Sequence, residues 1–198
     1  MTFPKLHLPL APQDISKPLV VIALLVFLQY AIPNSVNSIA LYFDLVRDGE
    51  YWRIISGNLI HSGHIHLLFN CLGVLLVWLL YAERFDTTRY LSVIFVGCLF
   101  VGIGETYLSN YDSYRGFSGV LHGLLLFGAI ADIKRKDTFG WMIFVIIAGK
   151  IVIENTTNMS IFAGAIIDDS VAVTSHLFGG IAGAMLSVFL PPVEIKHK

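Results

Sequence analysis

The feature that most constrains the fold is a series of apolar segments that contain no Asp, Glu, Lys or Arg. Hydrophobic residues make up 56% of the 198 residues and charged residues 14%, whereas soluble domains carry about 25% charged residues. A segment in lipid must satisfy its own backbone polar groups, so such runs are predicted to be membrane-spanning helices. The six predicted spans are 18–32, 59–82, 90–103, 118–131, 138–149 and 171–190. The sequence therefore predicts an all-α membrane protein, a six-transmembrane-helix bundle in which several spans are shorter than the usual length of about 20 residues.

One membrane domain accounts for most of the chain in this interpretation. Residues 18–190 form that domain, residues 1–17 form a short N-terminal tail and residues 191–198 form a C-terminal tail. Lys and Arg concentrate on the connections that share a side with the two tails, so both termini are predicted to be cytoplasmic. Residues 33–58 mix aromatic and charged side chains and are predicted to lie along the outer membrane surface.

Charge and cysteine content exclude several classes of function. A formal net charge of -1 argues against nucleic acid as a partner. Cys71 and Cys98 both fall in apolar segments, with no Cys or His beside them at metal-site spacing, so they predict neither a redox pair nor a zinc site. The lipid bilayer is the expected surrounding, and nothing in the sequence predicts the oligomeric state.

Polar side chains collect near the starts of the second, fourth and sixth predicted helices. These helices enter the membrane from the same side in the predicted topology, so their first turns lie at one depth. Polar groups within a membrane domain face a bundle interior or a water-filled cavity and mark functional sites. The residues concerned are His61, His64, His66, Asn70, Ser118, His122 and His176.

The spacing around Ser118 and His176 favours a nucleophile and its base. Each residue lies beside glycines, and small residues let two helices approach closely in lipid. The sequence therefore predicts that the fourth and sixth helices bring Ser118 Oγ within hydrogen-bonding reach of His176, as a serine nucleophile requires. The glycines concerned are Gly116 and Gly119 beside the serine, and Gly179 and Gly183 beside the histidine.

A wider set of residues resembles a known family in order, spacing and helix placement. The set consists of Trp52-Arg53, His61, His66-x-x-x-Asn70, Gly116-x-Ser118-Gly119 and His176-x-x-Gly179-x-x-x-Gly183. It resembles the rhomboid intramembrane serine proteases over residues 51–190. The form of Gly119-Val120-Leu121-His122-Gly123 further resembles the rhombosortase branch of bacteria.

The resemblance implies a fold, a location, a substrate class and a site. It implies a six-helix bundle of the rhomboid type in a bacterial inner membrane, with the site open to the outer face, no cofactor and no metal. The substrates would be transmembrane proteins and, for a rhombosortase, secreted proteins with a C-terminal Gly-Gly-containing anchor. Ser118 would be the nucleophile and His176 its base. The oxyanion site would consist of His66, the Asn70 side-chain amide and the Ser118 N–H. Supporting residues would be Gly116, Gly119, His122, His61, Gly179 and Gly183.

The positions of the acidic residues and of His122 in the sequence affect two further features of the expected site. No acid falls within the predicted spans, so a Ser/His dyad is expected, and Asp168 and Asp169 are expected to stay in the outer loop 150–170, the candidate gate. His122 stands where many rhomboids have an aromatic residue, and it either packs on the imidazole of His176 or acts as a rival base. His176 is favoured, because a side chain one turn along the same helix projects beside the serine.

Two other classes of function remain open. The histidines could instead be ligands of a metal or haem membrane protein, although the polar set contains no Asp, Glu or Cys ligand beside them and no His-Glu-x-x-His motif. The chain could also be an inactive rhomboid-like protein that binds clients without cleaving them. Such relatives usually lack the serine or the histidine, and both are present here.

Overall fold

The computed structural model describes residues 12–32, 34–160 and 172–191, and this part of the chain is mainly helical. Six helices have 16 or more residues, and three shorter ones lie between the first and second of them. The long helices are α1 (Pro12–Ala31), α5 (His64–Tyr81), α6 (Thr87–Leu108), α7 (Ser118–Lys134), α8 (Thr138–Thr157) and α9 (Thr174–Phe189). The short helices are α2 (Ser35–Ile39), α3 (Phe43–Arg47) and α4 (Arg53–Ser56). The predicted all-α class is confirmed.

Helix α7 is the centre of the bundle. It packs against α5, α6, α8 and α9, and most of its residues are buried. The surrounding helices expose large apolar side chains such as Leu68, Val145 and Phe189. Within the described residues, the helical stretches 64–84, 87–108 and 138–157 are long and apolar enough to cross a membrane. This pattern is typical of an integral membrane protein, whereas six complete crossings stay a prediction.

Helices α7 and α9 touch through glycines, as the sequence predicts. A Cβ atom on Gly119 would lie 2.7 Å from the Ser175 carbonyl oxygen, and one on Gly123 would lie 2.6 Å from that of Gly179. In the opposite direction, a Cβ on Gly179 would collide with the Gly119 carbonyl group. Backbone atoms therefore fill the space that side chains would need, so a larger residue at any of these positions would force α7 and α9 apart.

A small antiparallel sheet ties the segment between α2 and α5 to the chain just before α7. Strand β1 (Leu41–Tyr42) pairs with β2 (Ser113–Tyr114). A 3₁₀ turn at Gly57–Leu59 follows α4, and the Gly116 N–H donates to the Gly57 carbonyl at 3.1 Å. The buried Arg53 donates to the Ala40 carbonyl at 2.7 Å. This segment is therefore packed onto the bundle and braces the start of α7.

The expectation that the long helices lack charged residues is wrong. Four of them, α1, α6, α7 and α8, extend beyond the predicted spans into charged residues, which include Lys17, Glu105, Asp132, Lys150 and Glu154. Each buried carboxylate has a partner in another helix or turn, which explains how it is accommodated. Asp132 pairs with Arg84, and Glu105 accepts a hydrogen bond from the Thr174 hydroxyl at 2.7 Å.

Several predicted boundaries also shift. Helix α1 begins at Pro12, so the predicted N-terminal tail contains helical residues, and α5 begins at His64 after the 3₁₀ turn. The first part of the predicted outer loop, up to Thr157, belongs to α8. Residues 161–170 of the candidate gate, with Asp168 and Asp169, lie outside the described residues, as does nearly all of the predicted C-terminal tail.

Candidate active site

Ser118 is the first residue of α7 and is half-buried. The chain turns sharply just before it, at Gly116, whose φ of 136° is one that a residue with a side chain rarely adopts. The Tyr114 hydroxyl donates to the Gly116 carbonyl at 2.6 Å, and burial raises the pKa of this phenol, which keeps its proton in place. The backbone that carries Ser118 is therefore fixed from several directions.

His176 on α9 faces Ser118 across the glycine contact. Its Nε2 atom lies 3.1 Å from Ser118 Oγ, and the histidine is almost completely buried. The predicted proximity of these two side chains is present, and it follows from the close approach of α7 and α9. The pair has the distance that proton transfer from a hydroxyl to an imidazole requires.

A carboxylate that the sequence analysis left in a loop holds the other side of the His176 ring. Glu154 Oε2 lies 2.7 Å from His176 Nδ1, and Glu154 is fully buried on α8. The same oxygen accepts a hydrogen bond from Lys150 Nζ at 2.7 Å. The spacing Lys150-x-x-x-Glu154 was a usable signal, because opposite charges four residues apart lie on one face of a helix.

His122 lies flat against His176. Their ring centroids are 3.9 Å apart and the rings are 20° from parallel. His122 Nδ1 is 2.8 Å from the Ser118 carbonyl oxygen, which can only accept, so Nδ1 carries the proton. His122 Nε2 is 3.1 Å from Lys150 Nζ and accepts from it. Both nitrogens of His122 are thus engaged away from Ser118 Oγ, which His176 contacts instead.

His66 and Asn70 lie on the first two turns of α5. His66 packs against Gly116, where an added Cβ would be 2.8 Å from His66 Cε1, so only glycine leaves room for this imidazole. Ser62 Oγ is 3.0 Å from His66 Nδ1. Asn70 is buried and donates to the His66 carbonyl at 2.9 Å, while its Oδ1 has no hydrogen-bond partner among the described residues.

The two remaining histidines have different surroundings. His61 is fully buried, and its ring meets His66 edge to face with centroids 5.1 Å apart. Burial lowers the pKa of His61 to about 3, which favours a neutral ring. Gln29 on α1 holds the His61 backbone by two hydrogen bonds, of 3.0 and 3.2 Å. His64 is exposed and its Nδ1 lies 2.7 Å from the Tyr30 hydroxyl oxygen.

Three of these side chains form a group with metal-ligand character. His122, Glu154 and His176 offer ligand atoms that all lie within 4.8 Å of one another. The expectation that the histidines have no acidic companion is therefore wrong. However, the Lys150 ammonium group donates to two members of the group, His122 and Glu154, and already supplies a positive charge there.

Fold and site together define a helical membrane protein with a serine and a histidine in contact at the start of its central helix. A family model described as "Rhomboid domain" matches residues 48–192, which include Ser118 and His176. The chain belongs to the rhomboid family.

Individual relatives agree with this assignment. The chain is 28% identical over 148 residues to the "Putative rhomboid protease YdcA" of Bacillus subtilis, covering 72% of this chain and 68% of that protein. It is 29% identical over 93 residues to the "Rhomboid protease GlpG" of Haemophilus influenzae, covering 47% and 48% respectively. It is 31% identical over 107 residues to the "Rhomboid protease GluP" of B. subtilis, covering 52% and 21%. The chain thus spans about two thirds of the first relative and half or less of the other two.

Proposed function

We propose that this chain is an intramembrane serine protease that hydrolyses peptide bonds in or near the membrane anchors of other proteins. The observation that carries the proposal is the 3.1 Å contact between Ser118 Oγ and His176 Nε2. Ser118 attacks the scissile carbonyl carbon while His176 accepts its proton at Nε2. The protonated imidazole then donates this proton to the leaving amine, and water hydrolyses the acyl-enzyme by the same steps in reverse order.

The oxyanion that forms during attack is stabilised by donors at the start of α7 and on α5. The first N–H groups of a helix have no acceptor within it, so the Ser118 N–H is a donor at a positive helix end. His66, which packs on Gly116, and the Asn70 side-chain amide are the two further donors in this proposal. One such donor contributes about 3 to 4 kcal/mol to the transition state.

The finer assignments concern topology and substrate. The six long helices each cross the bacterial inner membrane, both termini are cytoplasmic, and the site opens to the outer face. The substrates are transmembrane proteins, and by similarity to the rhombosortase branch they are secreted proteins that end in a Gly-Gly-containing anchor. The sequence form around Gly119–Gly123 supports this branch, and its test is a comparison of anchors with and without the Gly-Gly element.

A cleavage assay tests the proposed function. The purified protein is reconstituted in liposomes with a transmembrane substrate, and wild type is compared with Ser118→Ala. We expect cleavage by wild type and none by the variant. Equal cleavage by both proteins would show that another group, or a contaminating protease, acts.

Labelling with a fluorophosphonate identifies the base in the same preparation. Modification of Ser118 should be lost in His176→Ala, because no base then accepts the hydroxyl proton. It should persist at a reduced rate in His122→Ala, which removes the stacked ring and keeps the base. The reverse pattern would assign the base to His122.

A metal-binding function has one observation in its favour, the three ligand atoms of His122, Glu154 and His176. Metal analysis of the purified protein tests it. Zinc, copper or iron at one ion per chain, lost in Glu154→Gln, would favour that function. The Lys150 ammonium group within the cluster is the reason that we rank it second.

A further inference from the structure

We propose that Glu154 is a positioning residue for His176, and that Lys150 is the counter-ion that makes this buried carboxylate possible. The inference rests on the proposed function, since it concerns how the base of that reaction is held. The expected Ser/His dyad is thereby extended to three residues linked by hydrogen bonds, Ser118 on α7, His176 on α9 and Glu154 on α8.

The contacts of His176 fix which of its ring nitrogens carries the proton. Glu154 Oε2 accepts from Lys150, so it also acts as an acceptor towards His176 Nδ1, 2.7 Å away. A proton on Nδ1 leaves the lone pair on Nε2, and that atom faces Ser118 Oγ. This is the tautomer that a general base needs, and a carboxylate in this place both selects it and fixes the ring plane.

The negative charge of Glu154 is balanced by Lys150. Glu154 is fully buried, and a buried carboxylate is stable only when paired. Lys150 lies one helical turn earlier on α8 and supplies the opposite charge, so the pair is neutral in the resting state. When His176 takes the serine proton, the imidazolium forms directly beside the carboxylate. The attraction between them is therefore largest in the transition state, where it increases the rate.

A second contact, with His122, keeps Lys150 beside Glu154. Its Nζ atom also donates to His122 Nε2, and His122 is anchored by its own bond to the Ser118 carbonyl group. Lys150 is thus held between two helices, α7 and α8. His122 completes a closed set of contacts, because its ring also stacks on His176.

The test separates positioning from simple charge pairing with three variants. Glu154→Gln keeps the shape and removes the charge, Lys150→Met removes the counter-ion, and the double variant removes both. Each is assayed for the fluorophosphonate labelling rate of Ser118, for kcat and KM on a transmembrane substrate, and for the melting temperature in detergent. Glu105→Gln is the matched control, because Glu105 is equally buried and bonds α9 through Thr174 without touching the imidazole.

We expect Glu154→Gln to reduce kcat and the labelling rate by about 10³- to 10⁴-fold with little change in KM, as removal of the carboxylate does in serine-protease triads. Each single variant should melt at a lower temperature, because each leaves one buried charge unpaired. The double variant should regain the melting temperature but not the rate. Glu154→Asp should recover part of the rate, and Glu105→Gln should keep the wild-type rate.

Recovery of the rate in the double variant would overturn the inference, because Glu154 would then serve only as the partner of Lys150. A Glu154→Gln variant as active as wild type would do the same. Either result leaves Ser118-dependent cleavage by wild type intact, and with it the proposed function. Absence of Ser118 labelling and of cleavage in wild type would instead overturn both.

Discussion

Charged groups lie among apolar helices near both ends of α7, but the two sets of contacts differ in the groups that they reach. At the far end, Asp132 pairs with Arg84, and Lys134 donates to carbonyl groups at the C-terminal end of α9. These contacts join structural elements and reach no nucleophilic side chain. At the near end, the contacts from Lys150 and Glu154 pass through His176 and end on the half-buried hydroxyl of Ser118. Burial of charge therefore does not by itself indicate a reactive site, and our proposal depends on the near-end contacts ending on a hydroxyl that can act as a nucleophile.

The sharpest test of this contrast is His176→Ala. Loss of the base should lower kcat/KM by about 10⁵- to 10⁶-fold, since removing one member of a serine protease's catalytic group costs nearly as much as removing all. The measurement is cleavage of a reconstituted transmembrane substrate. The melting temperature in detergent is measured in parallel and should fall, because the replacement removes a buried ring that stacks on His122 and bonds to Glu154; activity is therefore compared per folded molecule.

The control for this variant is Ser118→Ala, which should be equally inactive. The double variant should be no worse than either single one, because the two residues act as a unit. Activity of His176→Ala within 100-fold of wild type would contradict the assignment of the near end as the reactive one.

A second test at the near end is Asn70→Ala. If its amide donates to the oxyanion, the change should lower kcat by about 10²- to 10³-fold while Ser118 remains labelled by fluorophosphonate. In the structure Asn70 also donates to the His66 carbonyl group, so the melting temperature is measured in parallel. An unchanged kcat would place Asn70 among the structural residues and would narrow the reactive region to α7, α8 and α9.

The sequence was sufficient to predict the helical class and the proximity of Ser118 and His176. Both follow from local patterns: apolar runs mark the helices, and glycines at positions 119 and 179 let two of them meet. The role of Glu154 did not follow, because Lys150 and Glu154 interrupted the apolar run and the helix was predicted to end at Gly149. Lys150 and Glu154 pair with each other on α8, but their further partners, His122 and His176, belong to other helices and are not visible within a short window of sequence.

The ion pair at the far end of α7 was not predicted for the same reason. Asp132 was excluded from the fourth helix because a single carboxylate in lipid is unfavourable, and its partner Arg84 is 48 residues away. The β1–β2 sheet joins two strands of two residues each, which carry too little pattern to predict a pairing across the chain. Long-range contacts between polar residues were thus the part of the fold that hydropathy did not predict.

Asp132→Asn tests the far end. The change leaves the mostly buried Arg84 guanidinium group without its buried carboxylate and with only the exposed Glu83, 3.5 Å away, as an acidic partner. Breaking a buried pair in this way should lower the free energy of unfolding by about 3 kcal/mol, measured by denaturant titration in detergent micelles. The activity per folded molecule should stay at the wild-type level. Adding Arg84→Met should restore much of the stability, and a fall in kcat for the folded protein would show that the two ends of α7 are coupled.

The smallest effect is expected for Lys134→Met. Lys134 is exposed, and its Nζ atom lies 2.8, 3.2 and 3.0 Å from the carbonyl oxygens of Ser187, Val188 and Leu190. A cation at the C-terminal end of a helix contributes about 0.5 kcal/mol, because it meets the partial negative charge of the last carbonyl groups. The melting temperature should therefore fall slightly, and less at high salt, which screens exposed charges. Lys134→Arg should retain the stability, since it keeps the charge. If Lys134→Met folds normally but loses most of its cleavage activity, the contact of Lys134 with the C-terminal end of α9 would control the position of that helix and so of His176.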